Sequence, residues 1–342
     1  MKPAYALRVA PLACLLASGV AVGPAAADEV ADFYKGKQVT IVLGTGPGRT
    51  YDLYARLLAR HMQKRIPGRP NMLVQYMEGG GGLTATNHMY NAAPKDGTYI
   101  ATLFGTLPSE QLTKPNVARY DARNFNWLGA FSSATNVVAV MNDAPATTIE
   151  GIKEKEVVIG SIGRGNSTYQ FPALINHIVG TKFKLISGYP SGAEIYKAME
   201  SGEVHGYAPI WLSLTATKTD WLDSGRIKVL VQGGPDKIAQ LPNVPLLIEF
   251  AKTDEQRRMV LFQSAGSVLA HSALAPPGVP ADRLKALEEA FAKTVADPEY
   301  LADAAKQKLP ISFTSRAKVV ESVEQILSTP AALIETMKKV TG

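Results

Sequence analysis

Two glycine-rich segments of the chain each follow an apolar run and precede a helical pattern. The first, residues 44–50, reads Gly-Thr-Gly-Pro-Gly-Arg-Thr after the run 39–43, and the second, residues 79–82, is four glycines after the run 72–76. Each pattern predicts a strand, a turn and a helix. Turns of this kind on neighbouring parallel strands bring backbone N–H groups and two positive helix-dipole ends to one edge of the sheet. The sequence therefore predicts an anion-binding cleft.

The first segment matches neither common nucleotide-binding motif. A dinucleotide fingerprint G-x-G-x-x-G starting at Gly44 needs glycine where the chain has Arg49, and a Walker A motif ending at Thr50 needs lysine there. The residue types allow a turn in which Gly46 and Gly48 expose their amides. Thr50 would lie at the helix start, and the forked cation of Arg49 suits a carboxylate. A tight turn with a solvated arginine is the alternative.

The second glycine segment lies between a strand and a helix of one lobe, where a flexible linker has no purpose. Glycine allows a ligand to approach the backbone closely, so this segment is interpreted as part of the binding site. A merely structural turn is the alternative.

Two later strands run into similar turns. Residues 161–168 place Ser167 and Thr168 at a helix start, and Ser191 with Gly192 repeats the arrangement further along the chain. Tyr189 and Trp211 also follow strands on this edge, where either could stack on a ligand or simply pack in the core or at its rim.

Catalytic patterns are missing from the sequence. It has no G-x-S-x-G motif, and the histidines do not stand at metal-ligand spacing with one another or with carboxylates. Each histidine is interpreted as a surface or packing residue: His61, His88, His177, His205 and His271. We therefore expect a protein that is not an enzyme and holds neither a metal nor a cofactor.

The first residues resemble an export signal. Two basic residues precede the apolar run 9–22, and an A-x-A pattern ends at Ala27, which predicts cleavage there and a soluble periplasmic protein. No later apolar run is long enough to span a membrane. Cys14 is the only cysteine and lies in the predicted signal peptide. Lipidation at Cys14 is disfavoured, because Pro11 stands where a leucine is normally required.

Length and charge limit the possible partners. A chain of 342 residues is long enough to form two lobes. Its formal charge of +6 falls by two when the predicted signal peptide is removed, and no Lys or Arg block is long enough to follow a phosphate backbone. We expect no nucleic-acid partner.

The elements that must position these residues form an α/β pattern. Strand 38–43, helix 50–65, strand 72–76, helix 83–93 and strand 98–103 make a βαβαβ unit, which predicts a mostly parallel sheet with helices on both faces. A second unit follows, with strands predicted at 157–160, 183–186, 206–208 and 228–231.

The tail reads as a strand-like segment, residues 267–270, followed by helices that we expect to pack on the first lobe. The domain prediction is a signal peptide at 1–27, a first lobe at 28–133 that returns at 266–342, and a second lobe at 134–265. Two crossings between lobes would form a hinge.

The order of these segments resembles the Bug-type extracytoplasmic solute receptors of tripartite tricarboxylate transporters. The likeness covers nearly the whole mature chain and is carried by residues 46–48, 51–52, 55–58, 79–82 and 93–98, and in the second lobe by 188–192 and 198–204. It implies a two-lobed, type II-like Venus-flytrap receptor that passes a small organic carboxylate to integral-membrane permease subunits. An ABC-type or sensor-coupled binding protein is an alternative, and an enzyme on the same scaffold is another.

The resemblance also implies the roles of individual residues. One ligand carboxylate would be held, partly through waters, by Gly46, Pro47, Gly48, Gly80, Gly81, Gly82 and Thr84. The rest of the ligand would be recognised by Ser167, Thr168, Tyr189, Ser191 and Gly192. Arg49 and Thr50 replace glycines that are usual in the family, which suggests an extra contact to an acidic ligand. His205 stands where the family commonly has aspartate, so we do not expect this position to bind an ammonium group.

Overall fold

The computed structural model describes residues 24–48, 50–164 and 166–341, with side chains from residue 29 onward. Cys14, most of the predicted signal peptide and Arg49 lie outside the described residues, so the predictions made for them remain predictions.

Ten strands form two separate sheets of five within the described residues. In chain order the strands are β1 (Gln38–Leu43), β2 (Asn71–Tyr76), β3 (Tyr99–Leu103), β4 (Asn126–Ser132), β5 (Val137–Met141), β6 (Val157–Ser161), β7 (Phe183–Ser187), β8 (Gly206–Tyr207), β9 (Ile227–Gln232) and β10 (His271–Ala275).

The two sheets share one topology. The first has the order β2-β1-β3-β10-β4 and the second β7-β6-β8-β5-β9. Pairing is parallel among the first three strands of each order, whereas β10 and β5 run antiparallel to both of their neighbours. Four of the five strands in each sheet therefore point the same way, and the predicted two-lobed α/β fold is confirmed.

The helices surround both sheets. They are α1 (Pro24–Tyr34), α2 (Thr50–Met62), α3 (Leu83–Asn91), α4 (Leu107–Thr113), α5 (Ile149–Glu154), α6 (Ser167–Val179), α7 (Gly192–Glu200), α8 (Trp211–Thr217), α9 (Thr219–Asp223), α10 (Asp254–Val268), α11 (Ala281–Val295), α12 (Pro298–Lys306), α13 (Arg316–Leu327) and α14 (Ala331–Thr341).

Strand β1 is buried from Val39 onward, because helices cover both faces of its sheet. Helix α2 packs on one of those faces through Leu57, Leu58 and Met62, which recur at helical spacing. Leu53 falls on the same helical spacing, yet it is exposed, and Tyr54 fills the core instead. The buried stripe is therefore displaced by one residue at the start of the helix.

The tail differs from its prediction in two places. Residues 267 and 268, predicted as strand, end helix α10, and the strand begins only at His271. Helix α14 packs against α6 of the second sheet, where Leu333 and Met337 join its core. The expectation that the whole tail lies on the first lobe is therefore wrong for α14, while α11, α12 and α13 do pack there.

Helix α10 connects the two lobes. It contacts α13 of the first lobe and also α6 and α14 of the second. Phe262 packs against core clusters of both lobes. The lobes cover α10 from Met259 onward, whereas most of residues 254–258 are exposed. The apolar periodicity that would have predicted the helix is weak.

Candidate functional site

The two predicted glycine turns contact each other. The first glycine turn, residues 44–48, follows β1, and the second, residues 79–82, follows β2, which pairs with β1 in parallel. A Cβ on Gly44 would lie 3.0 Å from the Cα of Gly82, so glycine at position 44 lets the turns approach this closely. The structure thus brings the two predicted turns together at one sheet edge.

The buried Asp52 carboxylate holds the first glycine turn in place. It accepts hydrogen bonds from the amide of Gly48 at 2.8 Å, from the hydroxyl of Tyr76 at 2.6 Å and from Nε of Arg56 at 2.8 Å. Burial raises the pKa of the Asp52 carboxyl, but the hydrogen bonds from Tyr76 and Gly48 and the charge of Arg56 together bring it below its usual value. The Gly48 amide, predicted to face a ligand, is therefore already occupied.

A second carboxylate, that of Glu78, lies over the first glycine turn. A Cβ on Gly46 would be 2.5 Å from Glu78 Oε1, so the carboxylate occupies the space directly above that glycine. Glu78 is exposed, and none of the described residues forms an ion pair with it. Sequence reasoning missed this residue, because its approach to Gly46 depends on the path of the loop after β2.

The second glycine turn is the better anion site of the two. Its four glycines all have positive φ angles, 131°, 58°, 67° and 96° in order, which side chains rarely tolerate. Gly80 and Gly81 are exposed, and their amides have no hydrogen-bond acceptor within the described part of the chain. Thr84 is also exposed and brings its hydroxyl close to Gly79. Two adjacent amides and one hydroxyl are thus available to an anion.

The two predicted residues at the start of α6, Ser167 and Thr168, differ in how far they are exposed to the cleft. Thr168 is buried, and its hydroxyl accepts a hydrogen bond from the Ile162 amide at 3.1 Å, which fixes the loop after β6. Asn166 caps the helix by accepting from the Thr168 amide at 3.0 Å. Ser167 remains partly exposed and accepts from Asn136 Nδ2 at 3.3 Å.

The residues around the start of α7 have structural partners of their own. Ser191 caps the helix by accepting from the Glu194 amide at 3.4 Å. The hydroxyl of Tyr189 donates to Glu203 Oε1 at 2.6 Å, and burial together with this carboxylate raises the pKa of Tyr189 to about 12. Gly192 is required because a Cβ there would meet the hydroxyl of Tyr207 at 2.9 Å.

Trp211 is buried in the core of the second lobe, and it borders a different groove that it shares with Asp236 and Phe313. The core-packing alternative therefore describes Trp211 better than stacking on a ligand at the cleft.

A cavity of about 530 Å³ lies between the two lobes, which we call the cleft cavity. Tyr51, Phe104 and Thr106 line it from the first lobe, and Ser167 and Gln170 line it from the second. Two of the connections between the lobes also reach it, the β4–β5 segment and α10. They contribute Ala134, Asn136, Phe262, Gln263, Gly266 and Ser267, and Gly233 after β9 completes this side. The volume falls within the range of about 300–1,000 Å³ that is typical of small-molecule sites.

Two aromatic residues join the glycine turns to the cleft cavity. Phe104 covers Gly82, where an added Cβ would overlap its ring. Tyr51 packs edge-on against Phe104 with 5.0 Å between ring centroids, and its hydroxyl donates to the Ala270 carbonyl. Burial raises the pKa of that hydroxyl. Phe104 therefore contacts the second glycine turn and also lines the cleft cavity.

Of the residues predicted to bind ligand, Ser167 lines the cleft cavity, and Gly82 contacts Phe104 of its wall. Phe104 and Thr106 were missed, although they follow β3 at the same edge and the topological rule could have found them. Phe262 and Gln263 gave no signal, because α10 itself was not predicted.

Neither a metal site nor a membrane-spanning helix is found in the described ranges. No group of three or more histidine, cysteine, aspartate or glutamate residues there is arranged to hold a metal ion. None of the described helices combines the length and apolar character that crossing a membrane requires.

Comparison with known proteins yields one family and several similar structures. Residues 54–338 match the family described as tripartite tricarboxylate transporter family receptor, TctC. A UPF0065 protein of Bordetella bronchiseptica is 24% identical over 273 residues, covering 78% of this chain and 76% of that protein.

Two solved structures share the fold. A TctC solute binding protein from Polaromonas superposes with a TM-score of 0.70 at 17% identity, covering 89% of this chain and 99% of the other. Rpa4515 of R. palustris, solved with adipate, superposes with a TM-score of 0.57 at 18% identity, covering 90% of this chain and 97% of the other.

Proposed function

The chain belongs to the tripartite tricarboxylate transporter receptor family, and from this premise we propose that it captures a small organic carboxylate between its lobes for a membrane permease. The protein would be exported to the periplasm by cleavage after Ala27. It would bind and release its ligand without changing it chemically, so no catalytic residue is proposed.

The unpaired amides of Gly80 and Gly81 carry this proposal. Adjacent N–H groups in left-handed conformations form a concave donor site suited to an anionic oxygen. The first glycine turn contacts Gly82, the next residue along the chain. Hydrogen bonds to a charged acceptor contribute about 1.5–3 kcal/mol each. The adipate in R. palustris Rpa4515 supports the same class of ligand.

The proposed carboxylate site comprises Gly46, Pro47, Gly48, Arg49, Thr50, Gly80, Gly81, Gly82 and Thr84. Because Asp52 already accepts from the Gly48 amide, the second glycine turn would supply the direct donors and Gly48 would shape the turn. Ser167 would contact the rest of the ligand directly. Thr168, Tyr189, Ser191 and Gly192 would set the shape of the opposing loops.

A ligand screen on residues 28–342 tests the proposal. Acetate, benzoate, malate, adipate and citrate are added at millimolar concentration and unfolding is followed by a thermal-shift assay, with titration calorimetry for every hit. At least one carboxylate should raise the melting temperature and give saturable heat. Absence of any response across the panel contradicts the carboxylate assignment, and conversion of a bound acid detected by NMR contradicts the receptor assignment.

A matched pair of glycine variants tests the site. Gly81→Ala adds a methyl group beside the exposed amides at φ 67° with nothing else within 4 Å. Gly180→Ala adds one at φ 79° after α6, also with nothing within 4 Å, so both variants carry the same backbone strain. Only Gly81→Ala should weaken carboxylate binding, by at least about tenfold. Equal affinities in the two variants would remove the second glycine turn from the site.

A further inference from the structure

The cleft cavity lies at the hinge end of the space between the lobes. Residues from two connecting segments line it, including Asn136 after β4 and Ser267 in α10. The second glycine turn adjoins the same cavity through Phe104. A ligand whose carboxylate is bound at the glycine turns would therefore extend the rest of its structure into this cavity.

The apolar lining consists of four aromatic side chains and four aliphatic ones, the latter being Ala134, Ile210, Ala270 and Ile326. Tyr51, Phe104 and Phe262 are each partly exposed at the cavity, and Phe171 is buried behind them. The rings are held in place, because the Ala270 carbonyl binds the Tyr51 hydroxyl, Phe104 rests on Gly82 and Phe262 packs into both cores. Fixed aromatic surfaces lose little side-chain entropy on binding and favour offset or edge-on contact with another ring.

The polar lining carries no charge among the described residues. It consists of amides and hydroxyls such as Gln170, Gln263 and Ser167, with no lysine, arginine, histidine or carboxylate. A second carboxylate placed inside the cavity would lose its water without gaining a cation. The lining therefore disfavours a ligand that is charged at both ends.

We propose that the cleft cavity binds an aromatic ring, so that the ligand is a small aromatic acid with a single carboxylate rather than an aliphatic di- or tricarboxylate. This inference rests on the proposed carboxylate receptor function and specifies its ligand class. The side-chain amides of Gln170 and Gln263 would accept hydrogen bonds from neutral ring substituents or donate hydrogen bonds to them.

Titration calorimetry with four probes tests the ligand class. Benzoate and cyclohexanecarboxylate carry the same charge and similar size but differ in aromaticity, and adipate and malate carry a second carboxylate. We expect benzoate to bind at least about tenfold more tightly than each of the other three. Equal affinity for cyclohexanecarboxylate, or tighter binding of adipate or malate, overturns the inference while leaving the carboxylate receptor proposal intact.

Benzamide separates the two proposals. If benzamide binds and none of the carboxylates does, the aromatic site is supported and the carboxylate proposal fails. If none of the five compounds binds, both proposals fail.

Variants of the cavity wall locate the contact. Phe262→Leu keeps an apolar side chain and removes the ring, and it should weaken benzoate binding at least about fivefold and more than it weakens adipate binding. Phe313→Leu is the control, because Phe313 is 49% exposed and lies outside the cavity. If Phe262→Leu does not fold, Phe104→Leu provides the same comparison. Unchanged benzoate affinity in the folded variant contradicts the assignment.

Discussion

Glu78 and Asp52 place two carboxylates beside the first glycine turn. Asp52 is compensated by Arg56, Tyr76 and the Gly48 amide, so its charge is neutralised within the protein. Glu78 is exposed above Gly46 and has no such partner among the described residues. An incoming anion would therefore be repelled chiefly by Glu78.

Glu78→Gln should strengthen binding of a carboxylate ligand about fivefold at low ionic strength. Two unit charges about 4 Å apart in water repel by about 1 kcal/mol, and the substitution removes that repulsion. Titration calorimetry at low and high salt measures the effect, which should shrink as salt screens the charge. Glu289→Gln, an exposed substitution on α11, should leave affinity unchanged. Weaker binding by Glu78→Gln would indicate that Glu78 contacts the ligand favourably.

His271 makes stability sensitive to acid. Its ring packs against those of Tyr51, Tyr54 and Phe131, and the buried Nδ1 has no hydrogen-bond partner among the described residues. Burial lowers the pKa of His271 to about 4. In the unfolded chain this histidine takes up a proton near pH 6.5, whereas in the folded protein it does so only near pH 4. The contribution of the neutral ring to the free energy of unfolding is therefore fully present above pH 6.5 and is lost as the pH falls towards 4.

His271→Phe should flatten this part of the pH dependence. Phenylalanine can pack among the same three rings and cannot take up a proton. Between pH 7.5 and 4.5 the natural protein should lose about 2–3 kcal/mol more unfolding free energy than the variant, since one pKa unit corresponds to about 1.4 kcal/mol. Urea denaturation at the two pH values measures the difference. Parallel losses in both proteins would mean that His271 is not responsible.

At the scale of the elements, the second glycine turn is built around the close approach of Gly82 to Phe104. Gly82 has φ 96°, and any Cβ there would overlap the ring of Phe104. Glycine at position 82 therefore sets the conformation of the turn, of the start of α3 and of this wall of the cleft cavity.

Gly82→Ala should lower the free energy of unfolding by about 3 kcal/mol, because the positive φ and the overlap with Phe104 both cost energy. Gly163→Ala is the matched control, since Gly163 has neither a positive φ nor an atom within 4 Å of the added Cβ. Denaturation of both variants with urea provides the comparison. A loss of similar size at Gly163, or none at Gly82, would contradict the described turn.

The sequence predicted the strand-turn-helix units well, because apolar periodicity and glycine act locally. Those patterns located β1, α2, β2, α3 and β3 to within a few residues. It did not predict α10, which both lobes cover only from Met259 onward. Nor could it tell that Asp52 occupies the Gly48 amide or that Glu78 covers Gly46, because these contacts depend on how separate loops meet.

At the scale of the whole molecule, the chain crosses between the two lobes three times. The chain passes between the sheets from β4 to β5, returns along α10 to β10, and crosses again from α13 to α14. Helix α14 belongs to the core of the second lobe. This third connection restricts the directions in which the lobes can move apart.

Leu333→Ala should destabilise the protein by about 2–5 kcal/mol, as removal of a buried leucine side chain generally does. Leu333 is 6% exposed on α14, and Leu301 on α12 is 42% exposed and provides the control. Hydrogen exchange should show faster exchange in α6 and the second sheet for Leu333→Ala, with little change for Leu301→Ala. If the loss of protection fell on the first sheet instead, the placement of α14 would be wrong.

The first and last described helices belong to different lobes. Helix α1 packs with α11 on the first sheet, whereas α14 packs with α6 on the second. Cys14 lies in the predicted signal peptide, so the mature chain would offer no competing thiol to a maleimide dye. Cysteines introduced at the exposed Glu29 and Lys339 would therefore form a spectroscopic ruler, in which energy transfer between two fluorophores reports the separation of the lobes in real time.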